Sequence, residues 1–426
     1  MSETTVAVVD SGGFVELAIA LTECFDRVLY TGPLWQTSFP ESKNMFVGQG
    51  VPGIERLDYL WDAVGKVDLW VFPDIYQSDI QKALIRQGEL VWGSMSGDVL
   101  ETNRCDMRRL QNELGLPTQK WREVKGVTAL REYLAKHSDQ FVKLDFYRGD
   151  MESFYAPNYA IAKPVIDDLE NRVGPAAEVL TFCVESKIHA ELEVGYDGYC
   201  VHGKLPKVAL AGYEIKDEAY LGCAMPYEML PNTVRMVNEA LCPILGKHLY
   251  RNFFSTELLD EFLIDPCCRA GWPPLPIMVN MISNLGEIML AGAQGELIEP
   301  DFQDEYCCQI NLLSQFAKRH PLAVEFPAGM RRNLKFQNLC RVGDTYYILP
   351  IHEGAVIGAA VGTGATTAAA IKMAKEAAAS LHAHEFEAKT LNLANALIEI
   401  AEAEKMGYPF GTKRLPKPEI VLEDKE

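Results

Sequence analysis

Between residues 5 and 93 the chain alternates short apolar runs with helical stretches, and this alternation restricts the fold more than any other feature. Thr5 to Asp10 reads as a buried strand, Ser11-Gly12-Gly13 as a tight turn, Val15 to Phe25 as an apolar helix and Arg27 to Tyr30 as a second strand. Strand, turn, helix and strand in that order form the unit from which parallel doubly wound sheets are built. A strand Val67 to Phe72 ending in Pro73-Asp74, a helix Ser78 to Gln87 and a strand Leu90 to Gly93 extend the pattern into one open α/β unit. The glycine turn lacks the full spacing of a dinucleotide fingerprint, so its glycines serve the strand-to-helix corner.

From Leu100 the texture changes. Glu101 to Leu114 has helical spacing, carries Arg104, Arg108 and Arg109, and stops at Gly115-Leu116-Pro117, a capping glycine followed by proline. A strand Lys120 to Val124, a helix Val127 to Lys136 and a strand Gln140 to Asp145 come next. Strands Val179 to Glu185 and Ala190 to His202 follow, the second expected to fold back at a turn over Asp197-Gly198. A helix Pro231 to Lys247 precedes the strand that carries Glu257. Residues 333–361 alternate short strands with glycine turns, and Thr363 to Ala383 is an alanine-rich helix. Gly362 to Thr367 lacks the lysine of a Walker A loop and reads as a turn with a helix N-cap. A last helix ends near Met406, and the tail from Gly411 to Glu426 mixes prolines with charges and is expected to be loosely ordered. The expected organisation is a Rossmann-like unit at 1–100, a large α+β unit at 101–325, a small α+β unit at 326–410 and the tail at 411–426.

Composition narrows the class of partner. Of 426 residues, 48% are hydrophobic and 23% charged, the balance of a folded globular chain. A formal charge of −19 repels nucleic-acid backbones and anionic membranes from the average surface, so neither is expected as a partner. No apolar run reaches the roughly 18–20 residues of a membrane helix, and no basic segment precedes the first strand; a cytoplasmic location is expected. Neither Cys267-Cys268 nor Cys307-Cys308 has the spacing that brings two thiolates onto one zinc, so the eleven cysteines read as reduced, small hydrophobes.

The residues with chemical potential lie between 104 and 274. Glu257 and Asp265 fall on adjacent short strands and are followed by Arg269 and a Gly/Pro turn. Two acids and an arginine so arranged suit Mg²⁺ held against nucleotide phosphates, with Mn²⁺ as the alternative cation. Arg104 at a helix start, Lys143 on a strand and Arg148 in the loop 147–152 are candidate phosphate cations. Val142 and Leu144 flank Lys143 on what reads as a buried strand, where an unpaired ammonium is costly. Glu185 and Glu193 suit a base edge or ribose hydroxyls, or are exposed strand residues.

Taken in order, these segments resemble the ATP-grasp superfamily, and most of all its phosphoribosylamine-glycine ligase branch, over roughly residues 4–380. Val9 to Ala18 is similar to that branch's opening strand and Gly-Gly turn; Leu100 to Arg104 with Gly115-Leu116-Pro117 is similar to its phosphate-lysine helix, with Arg104 in place of lysine. Phe141-Val142-Lys143 resembles the segment of the second ATP lysine, Val184-Glu185 the adenine hinge, Glu193 the ribose glutamate, and Asp265 to Pro274 the metal-binding turn. The resemblance implies an ATP-grasp architecture: a Rossmann-like open sheet, a two-lobed central α+β domain that binds ATP, and a small C-terminal domain of strands and helix. It also implies a ligase that joins a carboxylate to an amine through an acyl phosphate and releases ADP. Glu257 and Asp265 would then hold Mg²⁺, Lys143, Arg104 and Arg148 the phosphates, and Arg269, with Lys143, would stabilise the transferred group. A homodimer suits a chain of this size.

Three departures from the family pattern stand out. Cys267 occupies the place of an asparagine that supplies an oxygen ligand, and sulfur is a poor partner for Mg²⁺. The phosphate loop, Arg148 to Ser153, has fewer glycines and two added acids, and Trp272 and Pro274 replace acidic residues beside the turn. A non-catalytic nucleotide binder and a small-molecule kinase are therefore the rival readings. Arg251, Arg331 and Arg332 are candidates to grip a substrate carboxylate or phosphate, or ordinary surface arginines.

Overall fold

The computed structural model describes residues 4–10, 12–32, 46–145, 153–189, 193–215, 218–350, 355–389 and 404–405. The chain opens with β1 (Thr5–Val9), α1 (Val15–Leu21), β2 (Arg27–Thr31), β3 (Ile54–Arg56), β4 (Leu69–Val71), α2 (Ser78–Arg86) and β5 (Val91–Trp92). These strands form a parallel sheet in the order β3-β2-β1-β4-β5, so the chain begins at the centre and winds out to both edges. Both β1 and β4 are buried along their whole length, which is why they read as continuous apolar runs. The helix expected to reach Phe25 stops at Leu21, where tighter backbone bonds from Glu23 to Ala20 and from Cys24 to Leu21 turn the chain. That turn leaves Cys24 exposed, against its expected burial.

Next come α3 (Val99–Thr102), α4 (Arg104–Glu113), β6 (Trp121–Lys125), α5 (Val127–Leu134), β7 (Gln140–Leu144), β8 (Ser153–Ala156), α6 (Tyr159–Val173) and β9 (Thr181–Ser186). The helix expected over Glu101 to Leu114 breaks at Asn103, whose ψ of 77° leaves the helical region. Its end matches expectation: Gly115, at φ +70°, donates to Asn112 O and Leu116 to Gln111 O, the paired bonds of a Schellman cap. The antiparallel sheet β6-β9-β7-β8 packs on α5 and α6 around its own core, including Val142, Ile166, Phe182 and Val184.

The remainder comprises β10 (Glu193–Val201), β11 (Val208–Ile215), β12 (Ala219–Pro226), α7 (Asn232–Lys247), β13 (Arg251–Leu259), β14 (Phe262–Cys267), α8 (Pro274–Met281), α9 (Leu285–Ala293) and β15 (Tyr306–Ser314). It ends with β16 (Leu322–Glu325), β17 (Leu334–Phe336), β18 (Leu339–Val342), β19 (Thr345–Ile348), β20 (Val356–Gly364), α10 (Thr367–Ser380), β21 (His382–Ala383) and β22 (Phe386–Ala388). A nine-stranded sheet runs β14-β13-β10-β11-β12-β15-β20-β17, with β22 also on β15, and joins strands on both sides of residue 325. A four-stranded sheet, β18-β19-β16-β21, lies beside it.

Two local expectations are corrected here. Asp197-Gly198 is no turn: both residues sit inside β10, where Asp197 pairs with Ser255 and Leu210, so ladder pairing on both sides overrides local turn preference. Thr363 and Gly364 belong to β20, and the following helix starts at Thr367, where the Thr366 side chain accepts from Ala369 N at 3.2 Å. The expected helix end near Met406 and the tail 411–426 lie outside the described residues.

Candidate active site

The hairpin of β13 and β14 sets Glu257 directly opposite Asp265, with Ser255 opposite Cys267 two residues along. Because side chains alternate along a strand, Glu257 shares its face with Ser255, and through β10 with Glu193, Gly195 and Asp197. Gly195, Gly212 and Gly222 lie side by side on β10, β11 and β12, which lowers the sheet surface into a trough. A Cβ at Gly212 would stand 2.0 Å from the Tyr220 hydroxyl, so only glycine lets Tyr220 lie across the strand. Its hydroxyl then donates to Asp197 Oδ2 at 2.5 Å. Burial pushes the Asp197 carboxyl up, opposed by bonds from Ser255 and Tyr220.

Between this face and the small sheet β6-β9-β7-β8 runs a cleft of about 550 Å³. Lys143, Glu193, Glu214, Glu257, Asp265 and Arg269 line it, with Phe141, Ile188, Leu259 and Trp272 as apolar wall. A lining that combines charged groups with apolar and aromatic side chains suits a charged ligand with an aromatic body.

A buried ion cluster fixes the two sheets against each other. Arg108 Nε donates to Glu185 Oε1 at 2.6 Å, and its other nitrogens reach Gln111 Oε1 (2.6 Å), Leu263 O (3.2 Å) and Ile264 O (2.5 Å). Gln119 Nε2 donates to Glu185 Oε2 at 2.6 Å, while Lys143 Nζ lies 3.4 Å from Glu185 Oε2 and donates to Ile264 O at 2.9 Å. The backbone immediately before Asp265 is thus held by cations from α4 and β7. Burial pushes the Glu185 carboxyl up, but Lys143 and Arg108 outweigh it and hold the group below the usual carboxylate range.

A second clamp holds the turn. Glu101, buried on α3, accepts from Cys268 N at 2.6 Å and from Arg269 Nε at 2.9 Å. Burial acts against the Arg269 charge, yet Glu101 more than compensates and keeps the guanidinium protonated far beyond its ordinary range. Arg269 thereby presents a fixed charge to the cleft on a framework that costs no rearrangement.

Of the residues singled out from sequence, Lys143, Glu185, Glu193, Glu257, Asp265 and Arg269 line the one cleft. Glu185 is 3% exposed and committed to Arg108, which excludes the exposed-strand reading. Arg104 is not among the lining residues: it is buried behind Asp265, 4.0 Å from Oδ2, and donates to Leu144 O at 3.2 Å. Arg148 lies outside the described residues. Arg331 is engaged with Glu16 at 2.9 Å and Arg251 lies against His202, so neither is an ordinary surface arginine. Glu101, Glu214, Asp197 and Tyr220 escaped sequence reading, although the aligned glycines of neighbouring strands were a usable signal for the last two.

Among the described residues no three His, Cys, Asp or Glu side chains converge as a closed metal site. Two facing carboxylates still suit a hard cation that completes its shell with water and ligand oxygens. Glu193 Oε1 is buried with no hydrogen-bond partner, so the cleft carries an acceptor awaiting a donor. No helix among the described residues is long and apolar enough to cross a membrane.

No family model and no curated protein sequence matches the chain, whereas solved structures do. Phosphoribosylamine-glycine ligase from Thermotoga maritima superposes with a TM-score of 0.64 at 13% identity, covering 90% of this chain and 99% of that one. The biotin carboxylase domain of 2-oxoglutarate carboxylase from Hydrogenobacter thermophilus, a dimer in complex with MgADP, ADP and bicarbonate, gives 0.65 at 9% identity over 96% and 99%. The ADP complex of an N5-carboxyaminoimidazole ribonucleotide synthetase gives 0.57 at 11% identity over 88% and 98%. All three share the architecture that the sequence resemblance implied, over most of the chain.

Proposed function

We propose that this chain, which has the ATP-grasp fold, is an ATP-dependent ligase that joins a small carboxylate to an amine and releases ADP and phosphate. The observation that carries the proposal is the convergence on one cleft of the opposed acids Glu257 and Asp265 with the fixed cations Lys143 and Arg269. In the proposed reaction a substrate carboxylate oxygen attacks the γ-phosphorus of ATP and the bond to the β-phosphate oxygen breaks, leaving an acyl phosphate and ADP. An amine nitrogen then attacks the acyl carbon, phosphate departs, and the nitrogen loses a proton. No protein nucleophile is needed, so the residues act by positioning and by neutralising charge.

Lys143 is assigned to the phosphates, and Arg269 to the charge that develops on the transferred phosphoryl group. Glu193, whose Oε1 lacks a donor, is assigned to a ribose hydroxyl. Arg104 acts from behind Asp265, orienting that carboxylate more than touching phosphate. Glu257 and Asp265 are the residues to hold Mg²⁺, which when bound would screen the phosphate charges and polarise them toward attack. Cys267 lines the same cleft and offers sulfur where a hard cation favours oxygen, so the cation would rest on the two carboxylates. That sulfur is the one observation that favours a nucleotide binder without turnover.

ADP release from MgATP, measured against pooled amino acids and small carboxylates with Asp265→Asn as control, separates these readings. Turnover that requires both a carboxylate and an amine, and disappears in the variant, is the expected result. ADP formation with a carboxylate alone supports a kinase, and ATP binding without turnover supports the non-catalytic reading. A cytoplasmic homodimer belongs to the same proposal, the Hydrogenobacter domain being a dimer.

A further inference from the structure

Arg251, at the start of β13, is buried, yet among the described residues no carboxylate pairs with its guanidinium. The two other arginines buried as deeply each face one: Arg104 stands 4.0 Å from Asp265 and Arg108 2.6 Å from Glu185. Among the described residues the Arg251 side chain has one polar contact, Nη1 with His202 Nε2 at 3.4 Å, and its Nε is buried with no hydrogen-bond partner. Burial pushes its pKa down with no neighbouring acid to oppose it, and because a guanidinium keeps its proton all the same, the charge is uncompensated. A charge taken out of water without a partner is costly, so such a group marks a place where something else supplies the counter-charge.

The surroundings hold the guanidinium in place. Gly93 N donates to Arg251 O at 2.8 Å and Arg251 N to Gly93 O at 3.3 Å, which ties the start of β13 to the end of β5. His202 and Gly203 both have positive φ, 51° and 78°, in the tight turn that Val201 and Lys204 close with two bonds of 2.9 Å, and His202 N donates to Tyr250 O at 2.6 Å. Burial, then Arg251 and Lys204, hold the His202 pKa below its ordinary range, so the ring is neutral and Nε2 accepts from Arg251. His202 also lines a cavity of about 980 Å³ between β11, β12 and α7, with Leu205, Met225 and Pro243 in its wall. Exposed Glu228, Glu239 and Glu305 line it too and disfavour polyanions. Arg251 lies six residues from Glu257 along β13, about 20 Å, and the buried ring of Phe253 stands between them, 6.1 Å from Trp92, which in turn lies 6.1 Å from Tyr199. Arg251 lines no part of the cleft described above.

We infer that Arg251 anchors a second binding site, for a small molecule that carries a carboxylate or phosphate group. His202 holds Nη1 and so orients the guanidinium, leaving the edge formed by Nε and Nη2 to donate two parallel bonds to the oxyanion. Lys204, on the His202 turn, adds positive charge to the same neighbourhood. The inference does not depend on the ligase proposal.

His202 reports on the site, because an anion beside Arg251 cancels part of the charge that holds the imidazole pKa down. The full chain, labelled at histidine, is titrated with phosphate or acetate at ionic strength held constant with chloride. The His202 ring signal, assigned by its loss in His202→Gln, is followed by NMR over the range about pH 5–8 in which a histidine titrates. Saturable binding with a rise in the His202 pKa is expected. Saturation by phosphate alone names a phosphate group, by acetate alone a carboxylate, and by both their shared chemistry. Arg251→Lys, which keeps the charge and loses the fork, is expected to bind at least tenfold more weakly, and Arg251→Met not at all; the first carries the test should the second fail to fold. No saturation of wild type by either anion, or unchanged affinity in either variant, overturns the site. MgATP, titrated separately, is expected to leave the His202 signal in place, and competition between MgATP and the bound anion overturns the separation from the cleft. Failure of MgATP to bind at all counts against the ligase proposal and leaves this one standing.

Discussion

Lys143 and Lys335 are both strand lysines with less than a tenth of their surface exposed, but their surroundings differ. Lys143 shares Glu185 with Arg108 and donates to a backbone oxygen, so its charge is answered within the protein. Lys335 has near it an acid that already accepts from Arg331 and Phe336 N, and among the described residues it makes no hydrogen bond or ion pair. The contrast teaches that burial alone does not define a structural ion cluster. What matters is whether each donor has an acceptor, and the small sheet that carries Lys143 and the end strand of the nine-stranded sheet that carries Lys335 answer that oppositely.

The largest effect should come from removing the shared acid. Glu185→Ala leaves Arg108 and Lys143 buried without their carboxylate and should cost about 3–5 kcal/mol in urea unfolding; a loss under about 1 kcal/mol would break the picture of an ion-paired hub. Because the Glu185 pKa is held below its unfolded value, its contribution is present above the ordinary glutamate range and fades as pH falls through the folded value.

Lys335 should respond to pH with the same sign but in an alkaline window. Its pKa falls from 10.5 to about 8 on folding. Below pH 8 both states keep the proton, and the full cost of the buried charge is present. Between about pH 8 and 10.5 the unfolded chain alone holds it, so stability rises with pH, by an amount on the order of 3 kcal/mol in ligand-free protein. Unfolding curves of wild type and Lys335→Met compared across that window should converge at the alkaline end, and parallel curves would count against an uncompensated ammonium.

At neutral pH the matched pair Lys143→Met and Lys335→Met sharpens the comparison. The first should lose about 1.5–3 kcal/mol, the worth of bonds from a charged donor, and the second should lose nothing or gain. Equal losses would mean that Lys335 has a structural partner after all. The smallest change is expected for Arg27→Ala, whose pairing with Glu55 at 2.5 Å is exposed to solvent; about 0.2–1 kcal/mol is the expected range, read from thermal unfolding.

Much of the site was legible because its parts lie close in sequence. Glu257 and Asp265 belong to one hairpin, so their spacing already implies adjacency, and the bulge after Glu257 sets the final register. Lys143 was legible through its apolar neighbours. The Glu101 clamp was not: Arg269 lies 168 residues away, and nothing local in Leu100-Glu101-Thr102 marks a buried acid. Asp197-Gly198 misled for a related reason. Its composition is that of a turn, while the bonds that straighten it come from β11 and β13.

By itself the sequence determined the alternating N-terminal unit, most helices and strands, and the order of residues that resembles ATP-grasp proteins, because periodicity and capping act over a few residues. Tertiary structure alone decided that Glu185 serves Arg108 and Lys143 together, that three glycines align into a trough, and that Lys335 meets no acceptor among the described residues. Those are properties of side chains from distant segments meeting in a medium that excludes water, where a charge gains or loses several kcal/mol according to its neighbours.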